Sequence, residues 1–343
     1  MSWLDLFKLH GRTKTMDING DALRLRFKKR FFLHTVDRRN SNFRAILILV
    51  GEIGVITASG LIAALTFQQS LFIFVPVYVI ALGIIGLRLR SFGNIVHECS
   101  HRSFVKDRKW NDLIGRALSL FLLYCFDSYR RDHLTHHQFT GDFEKDRDFL
   151  ETARFELHVD LTIARWKHYV SQAFSPGVLS AYLGKVVYQS SESLFWRLLR
   201  SIYVAALIIS ALAALTFNPL GLIILAFWIV PLAVSLPFVG YLSDIMDHGG
   251  ILRNDTDFDM SRNYVVENAF MQWLFFPRND SYHLLHHLFP TIPTHFLPEC
   301  HRILMDEYPD YAERKHSFSE WWQEFRKNDP SSANLASSSI SIN

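Results

Sequence analysis

The sequence predicts an all-helical integral membrane protein: four transmembrane helices in two hairpins, with a helical cap on the cytoplasmic face that carries a histidine-rich metal site. Three observations predict it. Four apolar stretches have about the length of a bilayer span. The 343-residue chain is 49% hydrophobic and only 20% charged, too little charge to coat a soluble domain of this size. Nine of its 16 histidines fall in four groups outside the apolar stretches. Such a composition excludes disorder, a collagen-like repeat and a small disulfide scaffold. Cys99, Cys125 and Cys300 form no CxxC pair, so neither a disulfide framework nor a thiolate metal site is indicated.

The apolar stretches cover about 43–67, 71–87, 202–217 and 220–242. At ~1.5 Å per residue the longest reaches about 37 Å, against a hydrocarbon core of roughly 30 Å. The shorter ones need their flanks to span, and the second is expected to run on to about residue 95. Gln68-Gln69-Ser70 joins the first pair and Asn218-Pro219 the second, so each pair reads as a hairpin. Orientation follows from Lys and Arg near the span ends. Arg38, Arg39 and Arg44 precede the first span, Arg88 and Arg90 follow the second, and Arg197 and Arg200 precede the third, while the two turns carry no charge. The N-terminus, 88–201 and 243–343 are therefore expected on one side, the cytoplasmic side of a bacterial inner membrane or an endoplasmic reticulum.

Residues 1–42 form a basic segment; residues 1–44 hold eleven Lys/Arg against four Asp/Glu, although the whole chain is only +3. Leu23–Phe32 mixes basic and apolar residues and is expected either to lie on an anionic membrane surface or simply to enforce topology. Met1–Gly11 lacks the apolar core of a signal peptide, which leaves the first span as the targeting element. Charge beside a span, with no recognition motif, argues against nucleic-acid binding. Leu113–Phe126 is short and interrupted by Arg116, so it reads as an interfacial or buried helix. The Ser- and Ala-rich residues 329–343 read as a disordered tail.

The histidines decide the chemistry. His97-Glu98-Cys99-Ser100-His101 is an HxxxH group, and His133-Leu134-Thr135-His136-His137 is an HxxHH. His248 stands alone after the fourth span, and His283-Leu284-Leu285-His286-His287 is a second HxxHH. At this histidine frequency chance gives about 0.7 HxxxH groups per chain but only about 0.03 HxxHH groups, so two of the latter need a cause. On a helix, residues at i, i+3 and i+4 share a face, so each group projects its imidazoles together. Four segments at one depth can thus converge on one cavity. His10, His34, His158, His168, His295, His301 and His316 lack such spacing and read as ordinary histidines.

Imidazole alone does not choose among zinc, copper, nickel and iron. Number is more informative: a catalytic zinc needs three protein ligands, whereas nine histidines suffice for two ions of four or five ligands each. Two redox metals beside a bilayer suggest oxygen chemistry on an apolar substrate, because an unactivated C–H bond offers no acidity to a general base.

The order of these groups, with two membrane hairpins, resembles the integral-membrane fatty acid desaturase and hydroxylase family of non-haem di-iron enzymes. Neighbouring words match too: Arg102-Ser103-Phe104 after the first group, Asp146-Arg147-Asp148 after the second, and Leu288-Phe289-Pro290 after Tyr282-His283-Leu284-Leu285-His286-His287. The resemblance covers roughly 43–310 and implies a catalytic domain over about 43–328. It implies that His97, His101, His133, His136, His137, His248, His283, His286 and His287 bind two iron ions, with O2 as co-substrate. His248 corresponds to the family's ligand outside the three boxes, and Asp244 to a polar residue that holds a metal-bound water in some members. The implied reaction is desaturation or hydroxylation of an aliphatic chain of a lipid or acyl substrate. Hydroxylation of a small molecule that is not a fatty acid, on the same scaffold, is the alternative.

Three residues separate the histidines of the first box, unlike the four typical of animal acyl-CoA desaturases, which leaves a lipid-linked carrier open. His283 is a histidine where front-end desaturases usually have Gln. No His-Pro-Gly-Gly of a fused cytochrome is present, so electrons are expected from a separate protein of ferredoxin, rubredoxin or cytochrome b5 type. Among the acids around the second box, Asp132 and Asp146 are expected to orient ligating imidazoles.

A membrane zinc metalloprotease is the rival reading, because residues 97–101 are literally HExxH with Glu98 as general base. It leaves both HxxHH groups unexplained. A metal transporter would place ionisable groups within the spans, which are nearly uncharged apart from Glu52.

Overall fold

Helices make up the regular structure of the described residues of this computed structural model, which are 27, 31, 38–142, 144–148, 156, 159, 162–184, 192–251 and 259–327. The only β pairings among them are two single bridges, Asn40 with Val105 and Val265 with Ser317. In chain order the longer helices are α1 (Asn42–Phe67), α2 (Leu71–Ser100), α3 (Arg108–Phe121) and α4 (Phe126–Phe139). Then come α5 (Ile163–Gln172), α6 (Pro176–Gly184), α7 (Leu194–Leu215) and α8 (Pro219–His248). Shorter helices follow: α9 (Ala269–Phe275), α10 (His283–Leu288), α11 (Leu297–Glu307), α12 (Pro309–Ala312) and α13 (Phe318–Lys327).

Starts are set by side chains that accept the otherwise unpaired first N–H groups. Ser41 does so for α1, Ser70 for α2, Asp107 for α3, Thr162 for α5, Asn218 for α8 and Asn268 for α9.

Among the described residues, α1, α2, α7 and α8 are the four helices long and apolar enough to cross a membrane. They outrun the apolar stretches. The second continues to Ser100, the third begins at Leu194, and the fourth continues to His248. Protein, not lipid, surrounds the added turns of α2: from Ile85 onward it buries Arg88, Ser91, Asn94 and Glu98 as well as Leu89, Phe92, Ile95 and Val96. A helix buried on all sides needs no polar face, so hydropathy stops short of its end. Each internal polar group has its partner nearby; Asn94 Nδ2, for instance, donates to Pro277 O at 2.8 Å.

α8 carries two π-helical segments, Leu225–Ile229 and Pro231–Ser235. Pro231 has no N–H and its ring crowds the preceding turn, which the wider π geometry relieves. Tyr78 on α2 donates its hydroxyl to Ala226 O at 2.8 Å, the carbonyl that a π-type N–H at position 231 would have taken. At the α2–α8 crossing a Cβ on Gly86 would sit 2.7 Å from Ser235 Cβ, so only glycine permits that approach.

The stretch expected as one helix over Leu113–Phe126 is divided. α3 ends at Phe121, Leu123 turns left-handed (φ 66°), and α4 begins at Phe126. α3 buries Asn111, Ile114, Gly115, Leu118 and Ser119, one helical stripe, against α2 and α4. Within the basic Leu23–Phe32 stretch the two described residues, Phe27 and Phe31, turn inward, away from any lipid surface. Phe27 stacks on Phe31 and packs edge-on to Tyr308, and Phe31 packs on Phe289, beside α10. The rest of that stretch, the tail 329–343, and His10, His34 and His158 lie outside the described residues.

Candidate metal centre

Four elements bring nine imidazoles together. His97 lies in the last turn of α2, and His101 caps that helix. α4 carries His133, His136 and His137; α10, six buried residues long, carries His283, His286 and His287. His248 is the last residue of α8. The chain leaves it sharply: a Cβ on Gly249 would meet Ile245 O at 2.5 Å, so a glycine must follow the histidine.

The Nε2 atoms fall into two groups. In the first, His101 and His133 are 2.9 Å apart, His133 and His137 3.0 Å, and His137 and His286 3.0 Å. With His97 these make five histidines whose ligand atoms all lie within 4.8 Å of one another. In the second, His136 and His248 are 3.2 Å apart, His248 and His283 2.9 Å, and His283 and His287 3.1 Å.

Neutral imidazoles alone cannot satisfy either group. Each ring nitrogen offers one hydrogen or one lone pair, so in a row of four atoms at most two of the three contacts are hydrogen bonds. The third has no hydrogen or lone pair left to use. His97 Nε2 is moreover buried with no hydrogen-bond partner. Cations among the nitrogens would relieve both defects, and the donor set therefore fits metal ions.

The far side of the rings is prepared for that role, since a ligating imidazole commonly gives its other N–H to a carboxylate or carbonyl. His136 Nδ1 lies 2.9 Å from Asp146 Oδ2, which also accepts the Gly141 N–H at 2.8 Å. His248 Nδ1 donates to Met260 O at 2.8 Å. His133 Nδ1 is 3.4 Å from Asp148 and His283 Nδ1 is 3.5 Å from Asp247. Tyr129 stacks parallel on His133 at 5.5 Å.

Burial first, then the neighbouring imidazoles, hold His101, His137, His283, His286 and His287 well below the ordinary histidine pKa. Burial lowers His133 as well, against Asp148. His136 goes the other way: burial lowers it, but Asp146, with Asp148 and Asp244, outweighs that. Neutral rings are the form that binds metal.

Of the two acids expected to orient imidazoles, the structure places Asp146 beside His136 and Asp132 away from every imidazole of the centre. The Asp132 carboxylate pairs with Arg131 (3.0 Å) and Arg147 (3.4 Å) at the surface, where charge complementarity outcompetes a buried ring. Asp244, one turn before His248, acts on His136 through its charge. Asp247, one residue before His248, was not distinguishable in the sequence; it faces His283 and accepts the Tyr264 hydroxyl at 2.5 Å.

Glu98 does not stand as a base over a metal. It is 1% exposed and accepts Arg278 Nε and Nη2 at 2.9 and 2.7 Å, and the Thr294 N–H at 3.3 Å. Two histidines read as ordinary, His301 and His316, belong to a buried network behind α10. Asn263 Oδ1 accepts Leu285 N–H, and its amide reaches the Tyr311 hydroxyl and His316 Nδ1; Tyr311 in turn meets His301 Nδ1. His168 is exposed and takes no part in the centre.

Comparison with known proteins bears on this geometry. A family model described as fatty acid desaturase matches residues 70–319, a span that includes all nine histidines. The chain belongs to the fatty acid desaturase family. It is therefore a membrane-bound oxidoreductase of a family that uses iron. It is 26% identical over 261 residues to the dihydrorhizobitoxine desaturase of Bradyrhizobium elkanii, covering 68% of this chain and 69% of that protein. An omega-3 fatty acid desaturase of the endoplasmic reticulum from Vigna radiata is 23% identical over 279 residues, 76% and 71% of the two chains. A shorter match, 43% over 61 residues, links it to an sn-1 oleoyl-lipid 12-desaturase of Anabaena variabilis, covering 18% of this chain and 17% of that one.

Proposed function

We propose that this desaturase-family protein removes two hydrogens from an aliphatic chain of a lipid or acyl substrate, using O2 and two irons at the membrane surface. The observation that carries the reading is the division of nine converging Nε2 atoms into five and four. His97, His101, His133, His137 and His286 would hold one iron, and His136, His248, His283 and His287 the other. When bound, the metal supplies the oxidising power to break an unactivated C–H bond.

The protein's own contribution is to position and to exclude water. Asp146, Asp247, Asp148 and Met260 O hold Nδ1 atoms so that Nε2 lone pairs face inward. Burial of His101, His133, His136, His283, His286 and His287 keeps water from competing. Asp244, whose charge acts on His136, would hold a water at the second group. Because about 1 Å of misplacement already changes reactivity, the rigidity of α10, with Leu285 fixed by Asn263, bears on which carbon is attacked and on desaturation against hydroxylation.

Two hairpins with both termini and the histidine cap on the cytoplasmic side agree with the Lys/Arg distribution, and residues 43–328 form the catalytic domain. A separate ferredoxin, rubredoxin or cytochrome b5 would deliver electrons from that side. The name of the Bradyrhizobium relative, which mentions no fatty acid, favours as a second reading oxidation of a small molecule on the same scaffold.

The test is expression in a host of known lipid profile, with iron per chain measured and lipids and extracts searched by mass spectrometry. Two irons and an O2-dependent product two hydrogens lighter are expected. One zinc per chain with no such product overturns the reading.

A further inference from the structure

Between α1 and α9 lies a cleft that the metal centre does not use. It is an open cavity of about 530 Å³, walled by Leu47, Ile48, Gly51 and Val55 of α1 and by Trp273 and Phe276 opposite, within the usual range for small-molecule sites. Four polar side chains also reach it: Glu52, Gln272, Arg278 and Asn279. Each is engaged inside the protein. Glu52 accepts the Ser91 hydroxyl at 2.8 Å and faces Arg88 at 3.5 Å. Gln272 accepts Val266 N–H and donates to Ser281 Oγ. Arg278 is held by Glu98, and Asn279 donates to Thr294 O at 2.9 Å. A polar ligand would have to break these bonds, whereas an apolar chain needs only the wall.

The mouth identifies what fills it. α1 is a membrane span whose Leu47, Val50 and Ile53 are exposed, and α9 exposes Phe270, Met271, Trp273 and Phe275. α9 cannot drift from the span. Arg88, wholly buried, donates to Trp273 O at 2.8 Å and Leu274 O at 2.7 Å, with the Trp273 ring 4.4 Å away. A short helix with an exposed aromatic face, fixed beside a span, lies at the depth of the lipid interface. The medium at the mouth is therefore the bilayer's own acyl chains. Its lining also reaches toward the metal centre: Arg278 is bound to Glu98, the residue after His97, and Asn279 lies four residues before His283.

We propose that this cleft takes one acyl chain of a bilayer lipid and that a lipid-linked substrate enters the enzyme there, sideways from the membrane. The second half of this proposal rests on the desaturase reading above. Gly51 and Gly54 supply the test. A Cβ on either meets nothing within 4 Å, but only Gly51 lines the cleft, so Gly51→Leu fills it and Gly54→Leu does not.

The full-length, iron-loaded protein is placed in vesicles of phosphatidylcholine with a photoreactive diazirine on one acyl chain, and labelled peptides are mapped. Labelling of both 47–55 and 269–276 is expected in the wild type and in Gly54→Leu, and a several-fold loss at both in Gly51→Leu. Product from substrate in the same bilayer falls in parallel in Gly51→Leu, with iron content unchanged. Equal labelling in all three proteins overturns the site. Labelling lost in Gly51→Leu with product unchanged overturns the entry route. A wild type that makes no product fails the desaturase reading instead, while the labelling still decides the cleft.

Discussion

Arg278 gives both Nε and Nη2 to a single oxygen of Glu98, tying the end of α2, with the first histidine group, to the turn that leads into α10, with the third. The turn is not relaxed. Arg278 and Asn279 both have positive φ, 65° and 58°, which non-glycine residues adopt only when their surroundings impose it. Glu98, Asn94 and Thr294 are those surroundings, and they fix the separation of two histidine groups far apart in sequence.

Removing one partner of such a buried pair leaves the other charged and dry, at a cost of about 3–5 kcal/mol. Glu98→Ala is accordingly expected to lower the unfolding midpoint on the order of 10 °C, read by size-exclusion chromatography after heating. Glu98→Gln keeps an acceptor and should lose less, and the double variant Glu98→Met with Arg278→Met should recover much of the loss. Glu98→Gln is also expected to retain iron. Complete loss of metal in that variant with an unchanged midpoint would place Glu98 at the metal instead.

Asp146 and Asp132 offer a paired comparison on one helix and its following loop. Asp146 holds His136 Nδ1 and the Gly141 N–H, whereas Asp132 holds only Arg131 and Arg147. Asp146→Ala is expected to weaken iron binding about 10–100-fold in a titration against a coloured chelator. Asp132→Ala should leave affinity unchanged and stability within about 0.5 kcal/mol.

What the sequence makes legible follows from the range of the interactions concerned. The i, i+3, i+4 spacing of His133, His136 and His137 is a local property of a helix, and α4 presents them together as that spacing requires. The four spans follow from apolar length, but their ends do not: α2 continues to Ser100 because its polar residues find partners on other elements, such as Pro277 and Arg278. The choice between Asp132 and Asp146 is likewise tertiary. Both are acids near the second box, and only the folded loop decides which meets an imidazole and which meets arginine. Asp247, Asn263, His301 and His316 carry no local signal at all, for their importance lies in partners such as His283, Leu285 and Tyr311 brought from other helices.

The network behind α10 gives a pH dependence with a definite sign. Burial, then His316, lowers His301 from 6.5 to about 4. The folded state thus resists a proton that the unfolded chain takes up near 6.5. The stability contributed by neutral His301 is fully present above that pH and is lost as the pH falls from about 6.5 toward 4. His301→Gln keeps an acceptor for the Tyr311 hydroxyl but does not titrate. Midpoints measured from pH 7 to 4 should fall less steeply in His301→Gln than in the wild type; parallel curves would remove His301 from the account.

The two rows of Nε2 atoms make the sharpest prediction, because they assign His286 and His136 to different ions. Each of the variants His286→Ala and His136→Ala removes an end member of its row: His286 beside His137, His136 beside His248. Either loss should abolish product, since the proposed reaction uses both irons, while iron is expected to fall from two per chain to about one. Stripping all metal with a chelator goes further. It leaves each row with a buried contact that cannot be hydrogen-bonded and removes the stabilisation that a ligand bound only to the folded state confers, about 4 kcal/mol when free metal exceeds its dissociation constant a thousandfold. The midpoint should therefore drop on chelation and return with added ferrous iron. Iron near two per chain with product intact in either variant would break the assignment, and a midpoint indifferent to chelation would mean that the nine imidazoles are held together without a metal.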